Sequence, residues 1–429
     1  MLIHTVSPGE TLKSIADLYG VSEFSLAFDN NVSALPSLPA GMALAVVLPL
    51  ATHTVSPGET LYSIASRYSN DPVALWRDNM FLDGGDSLPP GEVLYIGTRR
   101  EPLGAFRTGG YAYPFIPSEL LRRSLPFCSA LMPFTYGFTR SGGLIPPDDG
   151  FAVSACADYG TMPVMHLSTL DENDVFSVPL AEELLNSPDL QTRLLDSVIA
   201  NMRAKGYNAL DVDFEFLGAS NAKKYADFIG YCASRLHPLG YGVMTALAPK
   251  TSDGQLGSLY EGHDYALLGA AADALLLMTY EWGYTYGPPM AVSPITPVGA
   301  VVDYALTRIP AEKLLLGIST YGYNFVLPYE RGVSRADSVS TSAAINLAYL
   351  RGAEIFYDPT AMAPYFDYTE SGVSHRVWFE DVRSISARIS LMAQKGLSGM
   401  LIWSLNREGN QNLAAVNGMI DVRPFDIYP

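Results

Sequence analysis

The stretch that decides the fold reads Asn208-Ala-Leu-Asp211-Val-Asp213-Phe-Glu215-Phe-Leu217. Side chains on a strand alternate between its faces, so Asp211, Asp213 and Glu215 share one side while Leu210, Val212, Phe214 and Phe216 share the other. The apolar side requires a covering layer of helices. The acids then point into an interior, where closely spaced carboxyls cannot all ionise and their proton affinities are driven apart. Glu215, last in the row, reaches the open end of the strand and is the natural general acid, raised by burial and by its two acidic neighbours.

Outward from this strand, short apolar segments recur at 109–113, 129–135, 162–166, 209–216, 242–248, 274–280, 314–321 and 399–404. Amphipathic helices fall between several of them, clearest over 190–205, 222–236 and 381–395. Eight strands alternating with helices predict an α/β fold, a (β/α)8 TIM barrel over residues 105–429 whose reactive groups sit at the C-terminal strand ends. A doubly wound open sheet is the alternative. Residues 326–377 exceed what a crossover needs and are expected to form an insertion bordering the cleft.

Ahead of the barrel, His4-Thr-Val-Ser-Pro-Gly-Glu-Thr-Leu12 recurs letter for letter as His53-Thr-Val-Ser-Pro-Gly-Glu-Thr-Leu61. Each copy continues with a helical apolar stripe (Leu12, Ile15, Ala16, Tyr19; Leu61, Ile64, Ala65, Tyr68), an Asp-Asn pair, a Leu-Pro-x-Gly turn and a closing strand. Thr11 and Thr60 suit helix N-caps. Two βααβ modules are therefore expected at 1–48 and 51–97, joined to the barrel by a polar linker over 97–104. Units this small bury little core and suit binding better than catalysis.

Composition removes several classes of function. The 429 residues carry 44 acidic against 27 basic side chains, a formal charge of −17, which repels nucleic acid and anionic membrane. Three cysteines with no CxxC pair predict buried thiols, neither a disulfide framework nor a zinc site, and six scattered histidines offer no metal cluster. No metal and no cofactor are expected. The first residues lack a basic n-region and a long apolar h-region, so no signal peptide is expected.

The duplicated Gly-Glu-Thr-Leu and Leu-Pro-x-Gly turns resemble those of LysM domains. That resemblance implies recognition of N-acetylglucosamine-containing glycan, peptidoglycan or chitin, beside the first loop of each module. Gly9, Glu10, Thr11 and Leu12 in the first and Gly58, Glu59, Thr60 and Leu61 in the second are the residues implied.

Leu-Asp-Val-Asp-Phe-Glu on the fourth strand resembles the Asp-x-x-Asp-x-Asp-x-Glu signature of glycoside hydrolase family 18. Met278-Thr-Tyr280-Glu281-Trp282 resembles the Met-x-Tyr-Asp motif of the same family, and Trp403 resembles the tryptophan flooring its sugar pocket. The resemblance implies a retaining, substrate-assisted reaction in which Glu215 protonates the leaving oxygen and the substrate's acetamido carbonyl attacks the anomeric carbon. Asp213 would orient the acetamido N–H with Asp211 as its partner, and Tyr280 would donate to the acetamido oxygen. Met278, Glu281, Trp282 and Trp403 are expected to contact substrate, and Tyr136 is one of several strand-end aromatics suited to stacking on sugar.

This sequence departs from the pattern at Asn208, where the signature begins with an acid, and at Glu281, which keeps the charge of the usual Asp but extends its reach. With its paired N-terminal modules the chain resembles the spore cortex-lytic N-acetylglucosaminidases of the family. That implies hydrolysis of peptidoglycan fragments during germination, deposition from the mother cell onto the spore coat or cortex, and action as a monomer. An endo-chitinase and a catalytically dead spore-coat lectin are the rival readings, the second disfavoured by retention of the acid at Glu215.

Overall fold

A computed structural model describes residues 1–407 and 409–427; Glu408 and the last two residues of the expected 105–429 segment lie outside the described residues. Each N-terminal module is an antiparallel strand pair enclosing two helices. The first uses Leu2–Thr5, Leu12–Tyr19, Glu23–Asp29 and Ala43–Val46, the second Pro49–Thr54, Leu61–Arg67, Pro72–Asp78 and Val93–Thr98. Thr11 and Thr60 cap their helices, and Ser14 and Ser63 return the bond to the cap backbone. The repeated asparagine explains itself: buried Asn30 accepts from Ala45 N at 2.7 Å and donates to Ala45 O and Leu26 O, and Asn79 does the same with Tyr95 and Leu75.

Eight parallel strands follow: Ala105–Ala112, Ala130–Pro133, Met162–Ser168, Ala209–Asp213, Gly242–Leu247, Ala274–Leu277, Leu314–Ser319 and Gly399–Trp403. The last pairs with the first, Met400 opposite Thr108 and Leu401 opposite Gly109, which closes the barrel and excludes the open sheet. Inside lie Tyr111, Met132, Val164, Ala209, Met244, Leu276 and Leu401, whereas Leu210, Val212 and Phe214 pack outward against the helices. The alternation in the fourth strand thus falls as the pleat requires. Phe425 and Ile427 of the C-terminal segment join the interior cluster, and Ile427 crosses so close to Gly242 that a Cβ there would lie 2.8 Å from it.

Two expectations need correction. Regular strand ends at Asp213, so Phe216 does not share the helix-facing side; its φ is +58° and its side chain is 49% exposed. The linker over 97–104 is shorter than expected, because its first two residues belong to the strand Val93–Thr98, and the rest is tied down: Arg99 N donates to Leu48 O, Leu103 N to Met419 O, and Arg100 pairs with Asp421 at 2.8 Å.

The insertion is a five-stranded antiparallel sheet, in the spatial order Asp337–Ser340, Tyr321–Leu327, Val373–Trp378, Ala363–Glu370, Phe356–Asp358, with helix Thr341–Arg351 packed on it. Cys128, Cys156 and Cys232 are buried free thiols. Among the described residues no helix is long and apolar enough to cross a membrane.

Candidate active site

The open end of the barrel holds a cavity of about 650 Å³. Asp213, Glu215, Met278, Tyr280, Glu281, Trp282 and Trp403 all line it, contributed by the ends of the fourth, sixth and eighth strands. Asp211, one pleat deeper, is fully buried and accepts a 2.9 Å hydrogen bond from the Tyr111 hydroxyl of the first strand. Period-two geometry makes this juxtaposition: the inward register of one strand stacks its acids toward the mouth, while His166 approaches from the neighbouring third strand and Tyr111 from the first strand across the interior.

Burial pushes the Glu215 carboxyl up to about 8, and the negative charges of Asp213 and Glu281 add to it. It therefore holds its proton at neutral pH, as a general acid must. Its second acidic neighbour is Glu281, not Asp211 as the row of acids suggested. Asp211 is pushed up to about 6 by burial, His166 opposing the rise and Asp213 adding to it. The Tyr280 hydroxyl is raised well above its ordinary value by burial and by the surrounding carboxylates, so it is a donor at every accessible pH.

Glu281 sits in a left-handed turn, φ +67°, at the mouth of the cleft. Its carboxylate accepts from Tyr321 and Tyr323, both on the first strand of the insertion; the Tyr323 bond is 3.0 Å. Trp403 meets Phe134 edge to face at 4.9 Å and Tyr111 at 5.5 Å, so its ring is wedged in one orientation beneath the cavity.

Tyr136 does not join them. It is fully buried outside the barrel, where its hydroxyl donates to Asp149 and accepts from Lys205 Nζ at 2.9 Å, beside Tyr207. The second strand stops at Pro133, so strand parity no longer fixes direction; the Phe134 ring lines the cavity and Tyr136 turns to the helix layer. Tyr321 and Tyr323, which hold Glu281, and His166, which faces the buried acids, lie outside the expected site residues. The inward parity of residues 164, 166 and 168 was the available signal for His166.

In the N-terminal modules the repeated glutamates are consumed internally. Glu10 Oε2 accepts from Ser7 N at 2.7 Å and lies 3.0 Å from His4 Nε2, and Glu59 repeats this with Ser56 N at 2.8 Å and His53 Nε2 at 2.7 Å. These bonds, that to the backbone first, hold both carboxyls below their ordinary range. Thr11 and Thr60 are caps, Leu61 is core, and Gly9 and Gly58 turn with φ +89° and +82° with nothing within 4 Å of a Cβ placed there. The turn is thus built by its own side chains and leaves an exposed backbone at each glycine.

Among the described residues no group of His, Cys, Asp and Glu could hold a metal ion.

Residues 176–408 match the family model described as "Glycosyl hydrolases family 18", and residues 4–46 and 53–97 match that of the LysM domain. The "Cortical fragment-lytic enzyme" of Bacillus subtilis (strain 168) is 39% identical over 305 residues, 71% of this chain and 70% of that protein. The protein of the same name from Bacillus anthracis is 34% identical over 420 residues, 96% of each chain. The crystal structure of the Bacillus cereus spore cortex-lytic enzyme SleL superposes with a TM-score of 0.82 at 32% identity, covering 99% of this chain and 98% of that one.

Proposed function

Because the chain belongs to glycosyl hydrolase family 18, with two LysM domains ahead of its barrel, we propose that it is a retaining β-N-acetylglucosaminidase that cleaves spore-cortex peptidoglycan fragments during germination. The observation that carries this is the Glu215 carboxyl, protonated up to about pH 8, in the same cavity as Asp213, Tyr280 and Trp403. Glu215 gives its proton to the glycosidic oxygen as the bond breaks. The substrate's acetamido oxygen closes on the anomeric carbon to give an oxazolinium ion, so no enzyme nucleophile is required. Asp213 receives the acetamido N–H and faces the developing positive charge, and Tyr280 donates to the acetamido oxygen, which holds the near-attack geometry. Glu215, now a carboxylate, takes a proton from the water that opens the ring, restoring the acid.

Trp403 offers an apolar face beneath the sugar, with Met278 and Trp282 beside it and Glu281 at the rim. The LysM domains hold the enzyme on N-acetylglucosamine-containing glycan. The protein acts as a monomer in the spore coat or cortex, where deposition from the mother cell would put it. Mass analysis of products from cortical fragments, wild type beside Glu215→Gln, tests the reading: new reducing ends carrying N-acetylglucosamine are expected from the wild type only. Muramic acid at those ends, or equal turnover by the variant, would refute it.

A further inference from the structure

Asn208 cannot supply the acid that opens the family signature, and its place in the strand removes it from the reaction. It precedes Asp211 by three positions, about 10 Å along a strand. Its backbone is engaged with Pro163 O at 3.0 Å and Gly242 N at 3.3 Å. What faces the buried acids instead comes from the third strand. His166 is fully buried, with Nε2 3.8 Å from Asp211 Oδ2 and 3.7 Å from Asp213 Oδ2. That nitrogen, Asp211 Oδ1 and Asp213 Oδ1 are all buried without a hydrogen-bond partner. Buried polar atoms are nearly always paired, so an unpaired atom on each of these three adjoining side chains marks a place arranged for something other than packing.

The imidazole is fixed on its remaining sides. Nδ1 lies 2.7 Å from Thr135 Oγ1, the ring leans on Phe134 at 4.9 Å, and it meets Tyr111 edge to face at 5.3 Å. The titratable groups facing it are Tyr111 from the first strand and Asp211 and Asp213 from the fourth; Thr135 and Ser168 are the neutral polar neighbours. A ring with one nitrogen bonded and the other held between two carboxylates has a single direction in which to act.

We propose that His166 is a positioning residue for hydrolysis: with the Thr135 hydroxyl donating to Nδ1, Nε2 carries the ring proton between the Asp211 and Asp213 carboxylates, keeping Asp213 aimed at the substrate's acetamido group. The inference rests on the substrate-assisted reading above. No bond to substrate is made or broken by His166, and its proton stays within the trio. When Asp213 engages the acetamido N–H, Asp211 retains two partners, Tyr111 and His166.

Two amide variants separate the nitrogens, since Asn reproduces the Nδ1 side of histidine and Gln the Nε2 side. Full-length wild type, His166→Asn, His166→Gln and Glu215→Gln are assayed on cortical muropeptides for kcat, KM and the pH dependence of kcat. His166→Asn, which reaches Thr135 but not the carboxylates, is expected to lose on the order of 10-fold or more in kcat with KM within about 2-fold. Its acidic limb should move to higher pH, because Asp211 loses the neighbour that opposes its rise. His166→Gln should recover most of kcat and return the limb toward that of the wild type. An unmoved limb in His166→Asn, or equal losses in both variants accompanied by lowered thermal stability, overturns the proposal. A wild type that releases no N-acetylglucosamine ends would instead remove the reading on which it rests, and Glu215→Gln identifies that case.

Discussion

Replacing Glu215 by Gln should make the protein more stable while abolishing turnover, and the gain should depend on pH in a defined way. A carboxyl with an ordinary value of 4.5 in the unfolded chain and about 8 in the folded one binds more protons folded than unfolded between those limits. Folding stability therefore falls as pH rises from about 4.5 to about 8 and levels off beyond. At pH 7 the difference corresponds to about 3 kcal/mol, and water in the cleft screens it to about 1–2 kcal/mol. Unfolding entropy near 2 cal/mol/K per residue makes each kcal/mol worth about 1 °C in a chain of 429 residues. Glu215→Gln should thus melt roughly 1–2 °C above the wild type at pH 7, a little more at pH 8, and level with it below pH 4.5, while kcat falls on the order of 10²–10⁴-fold. Paired differential scanning calorimetry across pH 4 to 9, with turnover measured on the same samples, reads both effects. A variant less stable than wild type at pH 8, or an offset that does not change with pH, would show that Glu215 is not the strained acid described.

Other outcomes follow from the same geometry. kcat/KM should decline above about pH 8 as Glu215 loses its proton and below about pH 6 as Asp211 gains one; Glu281→Gln removes a negative neighbour and should move the upper limb to lower pH. Tyr280→Phe deletes the donor to the acetamido oxygen and should cost on the order of 10–10² in kcat, measured on the same fragments, with binding of an inert analogue nearly unchanged. Asn79→Ala leaves Tyr95 N–H and two carbonyls without their partner, a loss of about 2–4 kcal/mol that thermal unfolding would register as melting of the second LysM domain at lower temperature.

What could be read from sequence was what local periodicity controls. Alternation set the inward face of the fourth strand, and the nonapeptide repeat carried its helix caps and turn glycines within a few residues of one another, with the asparagine clamp at the same offset in each copy, Asn30 and Asn79. Legibility failed where a strand ended sooner than its composition implied. Phe216 looks like another outward residue, yet the chain has left the sheet and turned left-handed, so the ring opens to the cleft. Tyr136 fails for the same reason, three residues past the end of its strand at Pro133, where only an isolated bridge to Leu167 remains. Contacts between strands were invisible for a different cause: whether Tyr111 or His166 meets Asp211 depends on barrel stagger, which no single strand encodes. The insertion has weak alternation, and its five strands are ordered out of sequence, so pairing could not be inferred from neighbours along the chain.

That insertion links the binding and reacting parts of the molecule. Its first strand supplies Tyr321 and Tyr323 to Glu281 at the cleft. The same subdomain, through Ile345, Ile355, Phe366 and Val377, shares one apolar cluster with Val6, Ile15, Leu26 and Leu44 of the first LysM domain. The contact is made backbone to backbone: Ile355 N donates to Ala40 O at 2.9 Å, and a Cβ on Gly41 would lie 1.9 Å from Ile355 O. From the other side, Gln411 on a barrel helix donates to Asn30 Oδ1 at 3.1 Å and Ala43 O at 2.8 Å, and Trp76 of the second domain packs on Tyr159 at 5.1 Å. Swinging either domain away would expose a shared core and strip buried amides of their partners, a larger cost than a flexible tether ever carries. A loose linker lets an enzyme search every bond within its reach, whereas a fixed mount presents bound glycan to the cleft at one offset and one direction. The wall that carries Glu281 is therefore mechanically continuous with the first glycan-binding domain, and the position of that domain is part of what shapes the cleft.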